Sequence, residues 1–545
     1  MSLRDDTPDS PPLNEKADLG VEETLTRQEE DEYPGGFKLA LLTVALCLSV
    51  FILSLDNTII TTAIPKITDH FHSLEDVGWY GSAYLLTTAA TQLLFGKFYT
   101  FLPVKWTFVA AITLFEAGSL LCGAAPTSTA LIIGRALAGL GSAGIYSGSM
   151  VIVANSVPLE RRPMYNGLIG SMYGIASVAG PLLGGVFTDK LTWRWCFYIN
   201  LPVGAVTLAV IIFLFKMPRR STDKKSTAKT FGERFQLFDP WGTLVFIPAI
   251  VCLLLALQWG GSKYAWDSWR IILLFVFFGL LIIAFVGIQV WKGEGATIPP
   301  RILGTRSVWS GAFFAFSLGS AFMILSFYLP IWFQAIRGVS AVHSGIDNLP
   351  IILSLVVASL IAGAGVTAIG YYAPYMIVSS IMAAIGAGLL TTLKVNSGHT
   401  KWIPYEIIMG LGLGLGIQQP FIATQVVLEA EDIPIGTSII LFAQTLGGAL
   451  FVSIGQNVFT NRLVRELVKN VPGVDPQVVL DVGATDLKNA IDPQFIGAVL
   501  ESYNNAVVST FYVSVAMACI SLIGSLAIEW KSVKGKKIEM GAGGA

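Results

Sequence analysis

The sequence predicts an all-α integral membrane protein with fourteen transmembrane helices, and three observations carry that prediction. Of 545 residues, 53% are hydrophobic and only 13% are charged, whereas a soluble domain draws roughly a quarter of its residues from the charged set to keep its surface in water. Apolar runs long enough to cross hydrocarbon recur from about residue 39 to residue 528. The charges that remain fall mostly in the gaps between those runs. This composition excludes a soluble enzyme. Thirty-five basic against thirty-six acidic residues give a net charge of -1, which offers no polybasic footprint to nucleic acid. Cys47, Cys122, Cys196, Cys252 and Cys519 show no CxxC or CxxxC spacing and read as small packing residues, not as a metal or disulfide framework.

Residues 1–38 hold eleven acidic and four basic side chains with prolines and serines but no apolar core, so they read as a disordered acidic cytoplasmic tail and not as a secretory signal. Six runs follow, at about 39 to 64, 78 to 99, 105 to 124, 129 to 154, 164 to 188 and 197 to 217, and form an N-terminal half over 39–217. A charged segment from Lys216 to Arg234 leads to two more runs at about 241 to 259 and 270 to 291. The stretch 218–306 therefore reads as cytoplasmic linkers around two additional helices. The last six runs, at about 307 to 333, 345 to 369, 373 to 393, 402 to 425, 435 to 459 and 507 to 528, make a C-terminal half over 307–528, followed by a cytoplasmic tail at 529–545. Between the last two runs lies a long outer loop, 460–505. Its apolar positions Val464, Leu467, Val468, Val478, Val479, Leu480 and Val482 suit either a helix on the outer membrane face or a solvated linker.

An even number of spans puts both termini on one side. Setting them in the cytoplasm leaves eighteen basic residues in inner loops and the C-terminal tail, beside four in the N-terminal tail, against twelve outside. That is the asymmetry the positive-inside rule requires.

An ionisable group at the centre of a bilayer costs about 2.5 to 3.5 kcal/mol on insertion scales, so one retained inside a span is a candidate for function. Asp56 falls in the outer half of the first span, and Arg135 lies roughly 9 Å below the outer surface in the fourth at 1.5 Å per residue. Similar depths would let them pair. Glu116 lies near the middle of the third. Each also has a structural reading: Asp56 capping local backbone, Arg135 anchoring neighbouring helices, Glu116 packing beside Gly118 and Ser119. In the second half neutral amides stand in for charge, namely Gln418 and Gln419, Gln444, and Gln456 with Asn457. Such groups bond a substrate or a neighbouring helix without binding a proton. Glu406 lies close enough to the outer end of its run to snorkel. His70, His72, His343 and His399 occupy loop or edge positions, which leaves no basis for a zinc or haem site. The 55 glycines concentrate at Gly134 to Gly144, Gly170 to Gly185 and Gly410 to Gly416, where small residues let helices approach closely and slide. Pro181 beside Gly180 breaks the backbone ladder and permits a kink or hinge.

Several of these stretches together resemble the major facilitator superfamily, and within it the fourteen-span drug:proton antiporters of the fungal toxin and multidrug efflux type. The resemblance runs from about Phe37 to Trp530. LDNTIITTAIP (Leu55 to Pro65) resembles the first-span signature, with Asp56 at its acidic position. IIGRALAGLGSAG (Ile132 to Gly144) resembles the fourth-span signature, with Arg135 at the arginine associated with proton transfer. GPLLGG (Gly180 to Gly185) is similar to the fifth-span antiporter signature, and WRWCFYINLPVG (Trp193 to Gly204) to the segment after it. The chain departs from the pattern in GKFYTFLPVK, where Thr100 and Phe101 replace the acidic and basic residues of the loop after span two, and at Ala176, where a glycine is usual.

The resemblance implies the major facilitator fold: two six-helix halves around a central cavity, rocking alternately to each side, with the extra pair of helices at the periphery. It implies proton-coupled efflux of amphipathic or hydrophobic small molecules such as drugs or toxins. A siderophore importer or a vacuolar carrier of basic amino acids is the alternative. Asp56, Arg135 and Glu116 are then expected in proton coupling, Gly180, Pro181, Gly184 and Gly185 in a gating contact between the halves, and Gln418, Gln419 and Gln444 in substrate binding. The expected partners are a small-molecule substrate, protons and the bilayer. No cofactor beyond the proton gradient and no metal are expected, and the unit is expected to be a monomer. The plasma membrane is the expected location, with the vacuolar membrane as the alternative.

Overall fold

In hydrocarbon a backbone without water must satisfy its own polar groups, so apolar runs of this length can only be helices. The computed structural model of the chain is built accordingly, and describes residues 34–73, 76–215, 236–261, 263–473, 475–476, 478–480 and 491–534. The acidic tail through Tyr33, the basic cluster from Lys216 to Arg234 and the tail from Gly535 onward lie outside the described residues. The first half holds α1 (Gly36–Phe71), α2 (Val77–Phe101), α3 (Val104–Ala124), α4 (Ser128–Ser156), α5 (Arg162–Lys190) and α6 (Asn200–Leu214, reached through the single turn Trp195–Tyr198). The middle pair is α7 (Pro240–Trp259) and α8 (Trp269–Lys292). The second half holds α9 (Arg306–Trp332), α10 (Leu349–Ile369, preceded by the short helix Ala341–Asp347), α11 (Ala373–Leu390), α12 (in two pieces, His399–Gly416 and Gln419–Val427), α13 (Ile433–Asn470) and α14 (Ile496–Ala527). α1 runs from what we call the near face to the far face, and successive helices alternate.

Thirteen of the described spans are long and apolar enough on their own to cross a bilayer, and α2 is the fourteenth. Its polar groups have an internal use. Thr87 donates to the Ala136 carbonyl at 2.9 Å, Thr88 to that of Gly139 at 3.0 Å, Gln92 to that of Ala143 at 3.0 Å and Tyr99 to that of Gly144 at 2.8 Å. These bonds zip α2 onto α4. Gly139 and Gly144 make the approach possible, since a side chain at either would run into Tyr84, Thr87 or Phe95.

Two spans differ from their apolar runs. α13 continues to Asn470 and α14 begins at Ile496, so much of the expected outer loop 460–505 is helix, with 481–490 outside the described residues. The physical reason is a continued apolar stripe: Phe459, Leu463 and Leu467 stay buried along α13, and the Phe459 ring meets Tyr503 of α14 at 5.2 Å. Val464 and Val468 share this continuation of α13 and do not belong to a separate surface helix.

Each half has its own core of buried side chains, and a further cluster joins the middle pair to both. Phe246 of α7 packs on Phe442 of α13 at 5.3 Å, while Phe238, just before α7, meets Phe98 and Phe101 of α2. The position where a charged pair was absent from the sequence thus holds an aromatic contact. Asp239 closes this joint. Its backbone is left-handed at φ 47°, a conformation Asp tolerates better than most. Its buried carboxylate accepts from the Gly242 amide, Gln289 and Thr297 and pairs with Lys292 at 3.0 Å. Burial alone would raise its pKa, but the bonds from Gln289, Gly242, Lys292 and Thr297 outweigh burial and hold it below the ordinary value.

The halves meet along two seams. In one, Gly167 of α5 lies against Ser359 of α10, whose Oγ donates to the Gly167 carbonyl at 3.2 Å. In the other, Gly96 of α2 lies against Ile435 and Ser438 of α13.

Candidate functional site

Arg135 sits in the second turn of α4 and is fully buried. Small residues bring α3 and α4 together around it: a side chain at Gly118 would strike Ala138, and one at Gly134 would strike Cys122. Arg135 Nη1 donates to Asp56 Oδ2 at 2.5 Å and Nε to the Tyr80 carbonyl at 2.8 Å. The guanidinium lies 4.5 Å from the centre of the Tyr84 ring, a cation–π distance. Nη2 has no hydrogen-bond partner.

Asp56, equally buried, accepts a second bond on Oδ1 from Asn200 Nδ2 at 3.0 Å. The same amide nitrogen reaches Ser119 Oγ at 3.1 Å. The carboxylate is therefore held by donors from α4 and α6, and the Asn200 amide ties it to α3. Desolvating two charges is costly unless extra hydrogen bonds serve them, and removing one partner of such a pair costs about 3–5 kcal/mol because the other is stranded. A group able to neutralise Asp56 when Arg135 withdraws is a proton.

Glu116 does not join the pair. It packs against Gly204, one turn beyond Asn200 on α6, and lies one turn before Ser119 on α3. Both its carboxyl oxygens are buried without a partner.

The four residues of the fifth-span signature separate into two faces. Gly180 and Gly184 back onto Thr58, Ile59 and Thr62 of α1, within their own half. Pro181 and Gly185 face Gly345 and Val342 of the short helix before α10, in the other half. The expectation that all four form the contact between halves is corrected for Gly180 and Gly184: the helical period of 3.6 turns residues i and i+4 the same way, and here that way is α1.

The three glutamines do not converge. Gln418, at the break in α12, donates across the seam to the Tyr146 hydroxyl at 3.0 Å and fills the space left by Gly170. Gln419 turns back to its own Leu415 carbonyl at 3.0 Å. Gln444 packs on Gly319 of α9. The snorkelling expectation for Glu406 is overturned, since the residue is fully buried. The start of α10 covers it, with the Ile351 amide donating to Oε2 at 3.3 Å. Sequence reading also missed Asn200, Tyr84 and Tyr146; the one available signal for Asn200 was a lone amide inside an apolar run.

Two helical halves with a sealed ion pair and small-residue seams define a polytopic membrane protein of transporter architecture. Residues 46–452 match the Major Facilitator Superfamily, and the chain belongs to that family. It is 61% identical over 507 residues to "MFS-type efflux pump MFS1" of Arthroderma benhamiae, covering 93% of this chain and 94% of that one. It is 56% identical over 493 residues to "Efflux pump roqT" of Penicillium rubens, covering 90% and 91%. Its fold is similar to that of the proton:xylose symporter XylE, with a TM-score of 0.57 at 12% identity over 88% of this chain and 94% of that one.

Proposed function

We propose that the protein exports amphipathic or hydrophobic small molecules, of the drug or secondary-metabolite toxin class, in exchange for protons by alternating access. The near face is the cytoplasmic one in this reading, which the distribution of basic residues supports. The observation that carries the reading is the buried Asp56–Arg135 pair, an ion pair sealed inside the first half of the bundle. The efflux pumps among its relatives support the direction of transport. In the cycle, Arg135 holds the ionised carboxylate, and a proton replaces it when the helices shift. Each pH unit across the membrane then supplies about 1.4 kcal/mol per proton.

The test is reconstitution into proteoliposomes with an imposed pH gradient and a lipophilic rhodamine dye as the transported probe. Wild-type protein is expected to move the dye against its gradient, and Asp56→Asn, at equal abundance, is expected to lose gradient-driven movement. Normal gradient-dependent flux in Asp56→Asn would remove this residue from the coupling mechanism.

A further inference from the structure

Glu406 lies in the second turn of α12, and no part of it is exposed. One turn further on, Gly410 has no side chain, which lets α12 press against Ile351 and Ser354 and draws the start of α10 over the carboxyl. The Ile351 amide is the one donor it receives; Oε1 is buried without a partner. Among the described residues no cation pairs with it. α10, α11 and the second piece of α12 contain no Asp, Glu, Lys, Arg or His at all. On the first piece of α12, Lys401 is exposed and the His399 ring packs on Trp402 at 5.3 Å. Asp347, which ends the short helix leading into α10, is itself an acid.

Among the described residues an ionised Glu406 thus has the positive end of α10 to balance it, while a protonated one needs no countercharge. The end of α10 that it holds is a joint. Asn348 there links α10 to the short helix Ala341–Asp347, and that helix carries Val342 and Gly345 against Gly185 and Pro181 of α5. We propose that Glu406 is a second proton-binding site, on the C-terminal half, and that taking up a proton loosens this joint and with it the far-face end of the α5–α10 seam. The inference rests on the proton-exchange reading and adds to it a carboxyl on the other half, outside the Asp56 site.

Glu406→Gln separates binding from support, because its amide oxygen still accepts from Ile351 but cannot ionise. Protein in lipid nanodiscs would carry spin labels at Lys190→Cys and the exposed His343→Cys, beside the seam and not in its contact, with Cys252 and Cys519 replaced by serine. Two readouts are taken between mildly acidic and mildly alkaline pH: the distance across the seam, and the protons released to a pH-indicator dye. Wild type is expected to change distance with pH. Glu406→Gln is expected to hold the acid-form distance throughout and to release one proton fewer, and Glu406→Asp to restore both responses. A Glu406→Gln protein that keeps the wild-type proton count and distance change would overturn the inference. Asp56→Asn in the same assay keeps the two readings distinct. Loss of a proton in Asp56→Asn alone overturns the Glu406 site, and loss in Glu406→Gln alone overturns the role given to Asp56.

Discussion

At Asp56 two donors arrive from two helices, Arg135 on one oxygen and Asn200 on the other, and they differ in kind. Arg135 brings charge, whereas Asn200 brings only direction, through a single NH2 group shared with Ser119. A hydrogen bond to a charged group contributes about 1.5–3 kcal/mol, so Asn200→Ala is expected to cut gradient-driven flux per molecule roughly tenfold or more. A purely structural Asn200 would lower abundance and leave the flux per surviving molecule where it was. Asp56 and Arg135 were legible in the sequence because a charge in an apolar run is conspicuous, and their similar depth even suggested the pairing. Asn200 was not legible, since one amide near a run's end looks like a helix start. Glu406 was misread for a related reason: distance from the run's end measures depth in the membrane, but the covering by α10 depends on a tertiary contact made possible by Gly410.

Among the elements, α5 shows how a motif divides its work. Gly180 and Gly184 fix α5 to α1 and Pro181 and Gly185 meet the opposite half, so substitutions at adjacent positions should fail differently. Leucine at Gly184 overlaps Thr62 and Ile59 in a packed interior, an overpacking that costs typically 1–3 kcal/mol. The expected result is reduced membrane abundance with near-normal flux per molecule. Leucine at Gly185 meets Val342 at ordinary contact distance and wedges the seam instead, so abundance should hold while flux falls. Quantitative blotting beside vesicle flux checks both; the reverse pattern would undo this division. The order and number of helices were readable from apolar runs because spanning length is set by the bilayer. Helix ends were less so. A hydropathy run reports hydrocarbon and not helix, which is why α13 and α14 extend beyond theirs, on Leu463, Leu467 and Tyr503 packing outside the apolar run.

For the whole molecule the middle pair makes the two seams unequal. α7 and its flanking turns grip the first half through Phe238 on Phe98 and Trp259 on Trp79. The middle pair and the short helix after α8 (Pro300–Gly304) grip the second through Phe246 on Phe442, Trp266 Nε1 donating to Asn457 at 2.7 Å, and Arg301 pairing with Asp432 at 2.9 Å. The α2–α13 seam is thus clamped from outside at both faces. Arg301 and Asp432 close the near-face end of this clamp, at the start of α13, where Gly96 of α2 lies close to Ile435 and Ser438. If the halves rock and the linker stays with the first half through Phe238, that latch opens when the near face does. Arg301 is 55% exposed, and an ion pair with so exposed a partner contributes about 0–1 kcal/mol. Arg301→Gln, which removes the pair without adding a like charge beside Asp432 and Glu294, should therefore shift the balance of the two states toward near-face opening by no more than about fivefold. Cysteines placed at Thr100 and Ser438 would report the shift as slower cross-linking across the seam. The exchange Arg301→Glu with Asp432→Arg should return the rate toward wild type. A single variant that cross-links at the wild-type rate would show that the clamp rests on its aromatic contacts, and the latch would then have no part in setting which face is open.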